Sequence, residues 1–400
     1  MNQQLVITEQ NQIIYSALFS GKDLVQINVT GKEKENQIGT IYVGRVANIV
    51  KNINAAFIEI GEGVMCYYSI KNNPSPIFCK KQGKKPLCIG DELLVQIAKE
   101  GTRLKEAVVT SCLNLTGKYL VLTHGKCSIG VSGKITDAAE RSRLRYIMEP
   151  YRNEDYGFII RTNAKNVSEE LLRDEQKRLT ALYQKLRTED IHKTAFTQVH
   201  RCPPSYICDI RDGYSENIEK IVTDSPEIYS EICEMLKVIS WEDEKKFCLY
   251  EDTELSLSRL YGIETKLEKA LAERVWLNSG GFLVIQPTEA LTVVDVNTGK
   301  AVKGSRDTEE TFFRLNMEAA KEIARQLRLR NLSGIIIIDF IDMEEEAHRT
   351  ELLESLRRYV SFDPIKTTVV DITALNLVEV TRRKIRRPLF EQVREASAAK

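Results

Sequence analysis

Two apolar segments, each ending on acid, constrain this chain more than any other feature. One reads Val293-Val294-Asp295-Val296-Asn297-Thr298-Gly299, and the other Ile335-Ile336-Ile337-Ile338-Asp339-Phe340-Ile341-Asp342. Both have the composition of sheet strands. An ionised aspartate at the margin of such a sheet loses costly hydration unless a metal, another cation or hydrogen-bond donors replace the water. Two of them, on strands able to lie side by side, suit a hard divalent cation. The structural reading stands beside it: residues 295–299 form an Asx-type turn and Asp339 is a paired acid. Asp342, placed before a helix, is assigned to capping, with Glu344, Glu345 and Glu346 near the positive helix end.

At 400 residues the chain has the length of about two to four domains. Lys plus Arg equals Asp plus Glu at 57 each, so net charge decides nothing about an anionic partner and local clustering must. No apolar run approaches a membrane span, and Met1-Asn2-Gln3-Gln4 lacks the regions of a signal peptide, so a cytoplasmic location is expected. Nine cysteines without a C-x-x-C pair fit reduced thiols used as small apolar fillers. His200, Cys202 and Cys208 could be assembled into a zinc site, but their spacing matches no zinc module, and no structural zinc is expected.

Period-two alternation predicts a hairpin, strands 12–19 and 24–29 about a Gly21-Lys22-Asp23 turn. Short strands with glycine corners at 39–46, 55–61 and 90–97 predict a small barrel. Between them Lys71, Lys80, Lys81, Lys84 and Lys85 read as a mobile basic loop, either a phosphate contact or a solvated surface. Residues 118–206 form a separate α/β unit with strands at 119–122 and 157–160 and a charged helix to about Leu186; a strand at 206–210 and helices at 226–238 and 262–277 follow. From residue 280 strand and helix alternate. The capping-box pattern Asp307-Thr308-Glu309-Glu310 opens a helix that stops near 331–334, before the strand 335–340. That order implies a layered α/β domain with both acidic strand ends in one sheet.

Asp295 and Asn297 are two apart, so an extended segment points both side chains the same way, and Asp339 ends a strand where it can meet them. Magnesium suits that set, since it keeps several waters and uses one or two carboxylates with substrate phosphate. Phe57 and Tyr67 flank a Gly61-Glu62-Gly63 corner. Exposed, they would stack on bases while Lys105 and the loop lysines hold phosphates; buried, they would be plain core. Arg161 and Thr162, just past an apolar strand, are either a fork and hydroxyl for a terminal phosphate or ordinary surface.

Three blocks resemble the catalytic region of the bacterial ribonuclease E/G family: Glu289-Ala290-Leu291-Thr292-Val293-Val294-Asp295-Val296-Asn297-Thr298-Gly299, then Ile323-Ala324-Arg325-Gln326-Leu327-Arg328-Leu329-Arg330-Asn331-Leu332, then residues 335–343. The likeness runs, more weakly, from the N-terminal hairpin to about residue 387. It implies a multidomain α/β and α+β fold. A ribonuclease H-like domain (1–35 and 207–277) carries an inserted OB-fold β-barrel (36–117), followed by a 5′-sensor α/β unit (118–206), a deoxyribonuclease-I-like α/β catalytic domain (278–387) and a C-terminal tail (388–400). By position, the resemblance makes Asp295 and Asp339 the metal-binding acids and Asn297 the residue that orients the scissile phosphate, and adds Lys366 as a basic residue of the catalytic domain. Phe57, Tyr67 and Lys105 become RNA contacts, and Gly117, Val121, Arg161 and Thr162 a 5′-monophosphate pocket. A second sensor arginine of some members falls on Gly133-Lys134, where Lys134 brings a point charge without the planar fork. The family's C-P-x-C zinc link has no counterpart before Lys400, so a zinc-tied dimer is not expected, while a homo-oligomer of another kind stays open.

The expected activity is therefore that of a magnesium-dependent endoribonuclease, with manganese able to substitute, acting on single-stranded RNA that can carry a 5′-monophosphate. Its products would bear 5′-phosphate and 3′-hydroxyl ends, its sites would be rich in adenine and uracil, and its tasks would be ribosomal RNA maturation, messenger decay or both. The rival is a non-catalytic RNA-binding factor of ribosome assembly or translation. Asp295, Asn297 and Asp339 together argue against it, and the barrel with its lysines argues against a phosphoesterase of small nucleotides.

Overall fold

The computed structural model describes all residues except 1–2, 33–37, 82–84, 102–104, 213–217, 240–245, 301–307 and 399–400, with the backbone alone at 236–239. The chain divides into two units, one of Met1–Lys34, Glu216–Cys233 and Glu244–Lys400, the other of Glu35–Ser215 and Glu234–Asp243.

In the second unit, strands Ile41–Val50, Ala55–Gly61, Val64–Ser69, Ala107–Thr110 and Glu92–Lys99 close on themselves, because Ile41–Val50 pairs with both Ala55–Gly61 and Glu92–Lys99. Val64–Ser69 and Ala107–Thr110 run parallel, and the other barrel pairs are antiparallel. The result is an OB-like barrel. Alternate side chains, among them Ile58, Ile60, Cys66, Tyr68, Leu93, Val95 and Val109, fill its interior. The expected mobile basic loop is tied to this wall. Phe78 bridges to Leu93, Lys80 pairs with Glu92 at 2.8 Å, and Lys81 pairs with Asp91. Lys84 lies outside the described residues.

Beside the barrel in the same unit is a four-stranded sheet in the order Ile129–Val131, Tyr156–Ile160, Leu120–His124, Asn114–Thr116, with helices Ala138–Met148 and Glu169–Thr188. The first helix opens on Asp137, whose carboxylate accepts from Ala139 N–H at 2.9 Å and Glu140 N–H at 3.4 Å. The strand expected at 206–210 is instead the helix Ser205–Asp212. Pro203 and Pro204 precede it, where a missing N–H costs nothing, and Tyr206, Ile207 and Ile210 bury at helical spacing.

The first unit holds two sheets. Phe247–Leu249, Ile218–Thr223 and Gln3–Gln10 lie parallel, and Ile13–Ser20 and Asp23–Gly31 continue antiparallel. Gln3–Gln10 turns into the predicted hairpin through Asn11 and Gln12, both left-handed at φ 50° and 65°, without a glycine to mark the turn. Within residues 388–400, read as a tail, Leu389–Ala398 is a helix: Leu389 and Ala396 enter the core and Val29 N–H donates to Gln392 Oε1 at 2.9 Å.

The other sheet has the order Arg274–Trp276, Phe282–Pro287, Leu291–Asn297, Gly334–Asp339, Val378–Arg382, Thr367–Ile372. The helix expected over 262–277 ends at Leu271, because Arg274–Trp276 leaves it to pair with Phe282–Pro287. Helices Thr308–Leu329 and Glu346–Ser361 cover one face, burying Leu283, Ile285, Val294, Val296, Ile336 and Ile338 against Leu315, Ala319, Ile323 and Leu356. Each large side chain so buried contributes about 1.5–3 kcal/mol. The first helix stops as expected, with Asn331 left-handed at φ 48°; Asp307 of the capping-box pattern lies outside the described residues. No helix among the described residues is long and apolar enough to cross a membrane.

Candidate active site

Leu291–Asn297 and Gly334–Asp339 are parallel neighbours, and their register sets Asp295 directly against Asp339. Since Val294, Val296, Ile336 and Ile338 point into the helix-covered core, Asp295, Asn297 and Asp339 share the opposite, open face. Pairing of Asp295 with Val284 and of Asn297 with Phe282 keeps the segment extended, which removes the Asx-turn reading. Asn297 Nδ2 donates to Asp295 Oδ2 at 2.8 Å and so fixes that carboxylate. Partial burial, and then the charges of Asp295 and Asp342, hold the Asp339 carboxyl above the usual carboxylate range.

Crowded oxygen anions of this kind fit a magnesium ion, which would relieve their repulsion and complete its shell with water and phosphate. Among the described residues no group of three or more His, Cys, Asp or Glu side chains could hold a metal ion.

Neighbouring residues make this end of the sheet rigid. Fully buried Asn316 clamps Ile341, two residues past Asp339, donating to its C=O at 2.8 Å and accepting from its N–H at 3.1 Å. Glu309 accepts from Glu344 N–H at 3.1 Å and Glu345 N–H at 3.2 Å. A Cβ at Gly281 would stand 2.8 Å from the Asn297 carbonyl, so only glycine lets these two strands close beside the site. Asp342 does not cap. Helix Glu346–Ser361 starts at Glu345 without a side-chain cap, and Asp342 accepts from Asn376 Nδ2 at 3.3 Å. Lys366 is not brought here either. Adjacent Thr367 pairs with Arg382, which pairs with Gly334 at the far end of the Asp339 strand. At ~3.3 Å per residue that is about 16 Å along the sheet from Asp339.

On the barrel, Phe57 and Tyr67 are cross-strand partners on the outer wall, half-exposed, with ring centroids 6.4 Å apart and planes at 82°. Ala56, Ile58, Cys66 and Tyr68 take the interior positions, so the plain-core reading of Phe57 does not hold. Exposed Lys105 precedes the strand Ala107–Thr110, whose Val108 pairs with Tyr67.

The residues assigned to a 5′-phosphate meet at one end of the four-stranded sheet. Arg161 N–H donates to Tyr119 C=O at 2.8 Å, Ser132 N–H to Ile160 C=O at 2.9 Å, and the Ser132 and Thr162 hydroxyls lie 2.9 Å apart. Lys134 N–H reaches Ser132 Oγ at 3.4 Å, and half-exposed Val121 sits opposite Ile159. One arm of the Arg161 fork is already engaged: Nη1 donates to Gly117 C=O at 2.6 Å and pairs with Asp212 at 2.8 Å. Asp212 also takes Arg211 at 2.9 and 3.1 Å. Burial would raise the Asp212 carboxyl, but Arg211 and then Arg161 outweigh it and hold it low. Beneath Gly117, buried Glu175 accepts N–H bonds from Lys118, Tyr119 and Leu120 at 2.7–2.8 Å, and a Cβ on Gly117 would stand 2.4 Å from its carboxyl carbon. Neither Asp212 nor Glu175 has a sequence signal that ties it to this end of the sheet.

An OB-like barrel with an exposed aromatic pair and an α/β sheet ending in two adjacent carboxylates define a multidomain α/β protein of mixed architecture. Residues 114–385 match the model of the Ribonuclease E/G family. Ribonuclease G of Haemophilus influenzae is 36% identical over 376 residues, which cover 92% of this chain and 76% of that protein. Ribonuclease G of Escherichia coli K12 is 34% identical over 92% of this chain and 77% of its own length. Ribonuclease E of Synechocystis is 33% identical over 98% of this chain and 58% of its own length. The chain belongs to the Ribonuclease E/G family.

Proposed function

We propose that this chain, an endoribonuclease by its family, hydrolyses single-stranded RNA at the Asp295–Asp339 end of its six-stranded sheet. The observation that carries the reading is the register placing these two carboxylates side by side with Asn297 on the same face. Asp295 and Asp339 would hold magnesium, or manganese in its place; when bound, such an ion lowers the pKa of water and offsets charge developing on the phosphate. Asn297, oriented by its bond to Asp295, offers its other amide hydrogen to a phosphate oxygen. The Asn316 clamp keeps the following loop from moving Asp339. Attack by water rather than by the ribose 2′-OH gives 5′-phosphate and 3′-hydroxyl ends.

Phe57 and Tyr67 would stack on bases with Lys105 on a phosphate, and Arg161, Thr162 and Lys134, with Gly117 and Val121, would receive a 5′-monophosphate. The parallel and antiparallel strand order around Gln3–Gln10 supports a ribonuclease H-like reading of that sheet, and the helix-covered sheet of the site supports a deoxyribonuclease-I-like one. Ribosomal RNA maturation and messenger decay in the cytoplasm are the tasks this chemistry suits. The test is a 5′-monophosphorylated, labelled RNA with magnesium or chelator. Wild type yields shorter 5′-phosphorylated products only with magnesium. Asp295→Asn loses cleavage by about a thousandfold, a metal's charge stabilisation being worth several kcal/mol of barrier, and keeps RNA binding. Cleavage by Asp295→Asn at the wild-type rate overturns the assignment.

A further inference from the structure

We propose that Trp276, Phe282 and Arg274 form a base-stacking subsite for a nucleotide next to the scissile phosphate, an inference that rests on the nuclease reading above. The sheet register carries it. Trp276 pairs with Phe282 and Phe282 with Asn297, while Arg274 pairs with Val284, Val284 with Asp295 and Asp295 with Asp339. Residues directly opposite each other share a face. Two cross-strand rows thus run to the sheet edge, one from Asn297 to an indole and the other from the Asp295–Asp339 pair to a guanidinium. Intervening Val275, Leu283 and Val296 pack toward the helices, so the three side chains stand on the open face with Asp295 and Asn297.

Trp276 is 62% exposed, an unusual place for so large an apolar surface. Its ring lies 5.2 Å from that of Phe282, and the Arg274 guanidinium sits 4.4 Å from the Phe282 centroid and 5.8 Å from that of Trp276. Arg274 enters no ion pair among the described residues. Aromatic faces beside an arginine are what a base and its phosphate use. With strands ~4.8 Å apart, Phe282 is one strand and Trp276 two strands, about 10 Å, from Asn297, within reach of a flanking nucleotide. Continuity with the carboxylate row and the positive charge select RNA over a protein partner as the occupant.

The experiment is a set of single-stranded RNAs carrying one abasic position, walked along both sides of the cleaved bond, with kcat and KM measured for wild type, Trp276→Ala and Trp276→Phe. For intact RNA, Trp276→Ala raises KM by about five- to a hundredfold, the range for loss of one stacked base, and Trp276→Phe restores most of it. In wild type one flanking abasic position carries a similar penalty, which disappears in Trp276→Ala. A merely structural role would not produce that position-specific cancellation. Identical abasic profiles in wild type and Trp276→Ala, or an unchanged KM for intact RNA, overturn the subsite while wild-type cleavage leaves the nuclease reading standing. Retained RNA kinetics together with Trp276-dependent self-association point to a protein occupant and likewise overturn it. No cleavage by wild type removes the nuclease reading, and this inference with it.

Discussion

The carboxylate site and the Arg161 constellation are built in opposite ways. Asp295, Asn297 and Asp339 stand on two hydrogen-bonded strands, so the ladder that makes the sheet also aligns the site. Arg161 draws its partners from two other stretches, the Gly117 carbonyl and Asp212 on a helix, while its neighbour Thr162 meets Ser132 of a third. Regular pairing positions side chains by backbone alone, whereas a site assembled from loops depends on which charges happen to be its neighbours. The first is stiff and intolerant; the second is adjustable.

The largest effect expected from that contrast is at Asn316. Asn316→Ala leaves both backbone groups of Ile341 without their buried partner, and such outer partners typically cost about 10- to 100-fold in activity. Single-turnover cleavage should fall by that factor with RNA affinity little changed; an unaltered rate would mean that the strand ladder fixes Asp339 unaided. Gly117→Ala comes next, since its Cβ would overlap the Glu175 carboxylate. Overpacking of this kind costs about 1–3 kcal/mol, readable as a lower urea midpoint, and a wild-type midpoint would show that Glu175 can move away.

Smaller still is Asp212→Asn, which releases Arg161 from a partly exposed ion pair. Such pairs are worth about 0–1 kcal/mol after solvent screening, so preference for 5′-monophosphate over 5′-hydroxyl RNA should rise by no more than about fivefold. A fall in that preference would make Asp212 a scaffold for the fork rather than a competitor. The smallest effect concerns His124, whose Nε2–H donates to Ser75 C=O at 2.8 Å while Tyr183 O–H donates to Nδ1 at 2.7 Å. Burial holds its pKa below the usual imidazole value. A depressed value means the unfolded chain takes up the proton first, so this stability is present above about pH 6.5 and is lost as pH falls below it. Denaturant titrations at pH 7 and 5.5 should show a loss that is smaller in His124→Gln; an equal loss in both would place the acid sensitivity elsewhere.

The same contrast explains what could be read in advance. The Ile335–Ile338 run with Asp339, and Val293-Val294-Asp295, betray strands because alternation and β-branched composition act locally, and pairing then brings the acids together. Asp137-Ala138-Ala139-Glu140 carried an equally local capping signal for a helix absent from the sequence reading. Ser205–Asp212 looks extended in sequence because a short, mostly apolar run such as Tyr206-Ile207-Cys208-Asp209-Ile210 does not distinguish strand from buried helix. Asp342 looked like a cap because acids precede helices often, but its hydrogen-bond partner, Asn376, is remote in sequence. Lys366 could be placed only by strand order, which no local pattern encodes.

Sequence alone determined the two strands of the site, the acids at their ends and the barrel's short strands at 39–46, 55–61 and 90–97, since side-chain period and backbone propensity are properties of neighbours along the chain. Only the tertiary structure decided that Asp295 faces Asp339, that Lys366 lies at the other end of the sheet, that Arg161 is held by Asp212 and that Trp276 shares the sheet face of Asp295 and Asn297. Register and burial are settled by the packing of segments distant in sequence, and the free energy of that packing is not contained in any one of them.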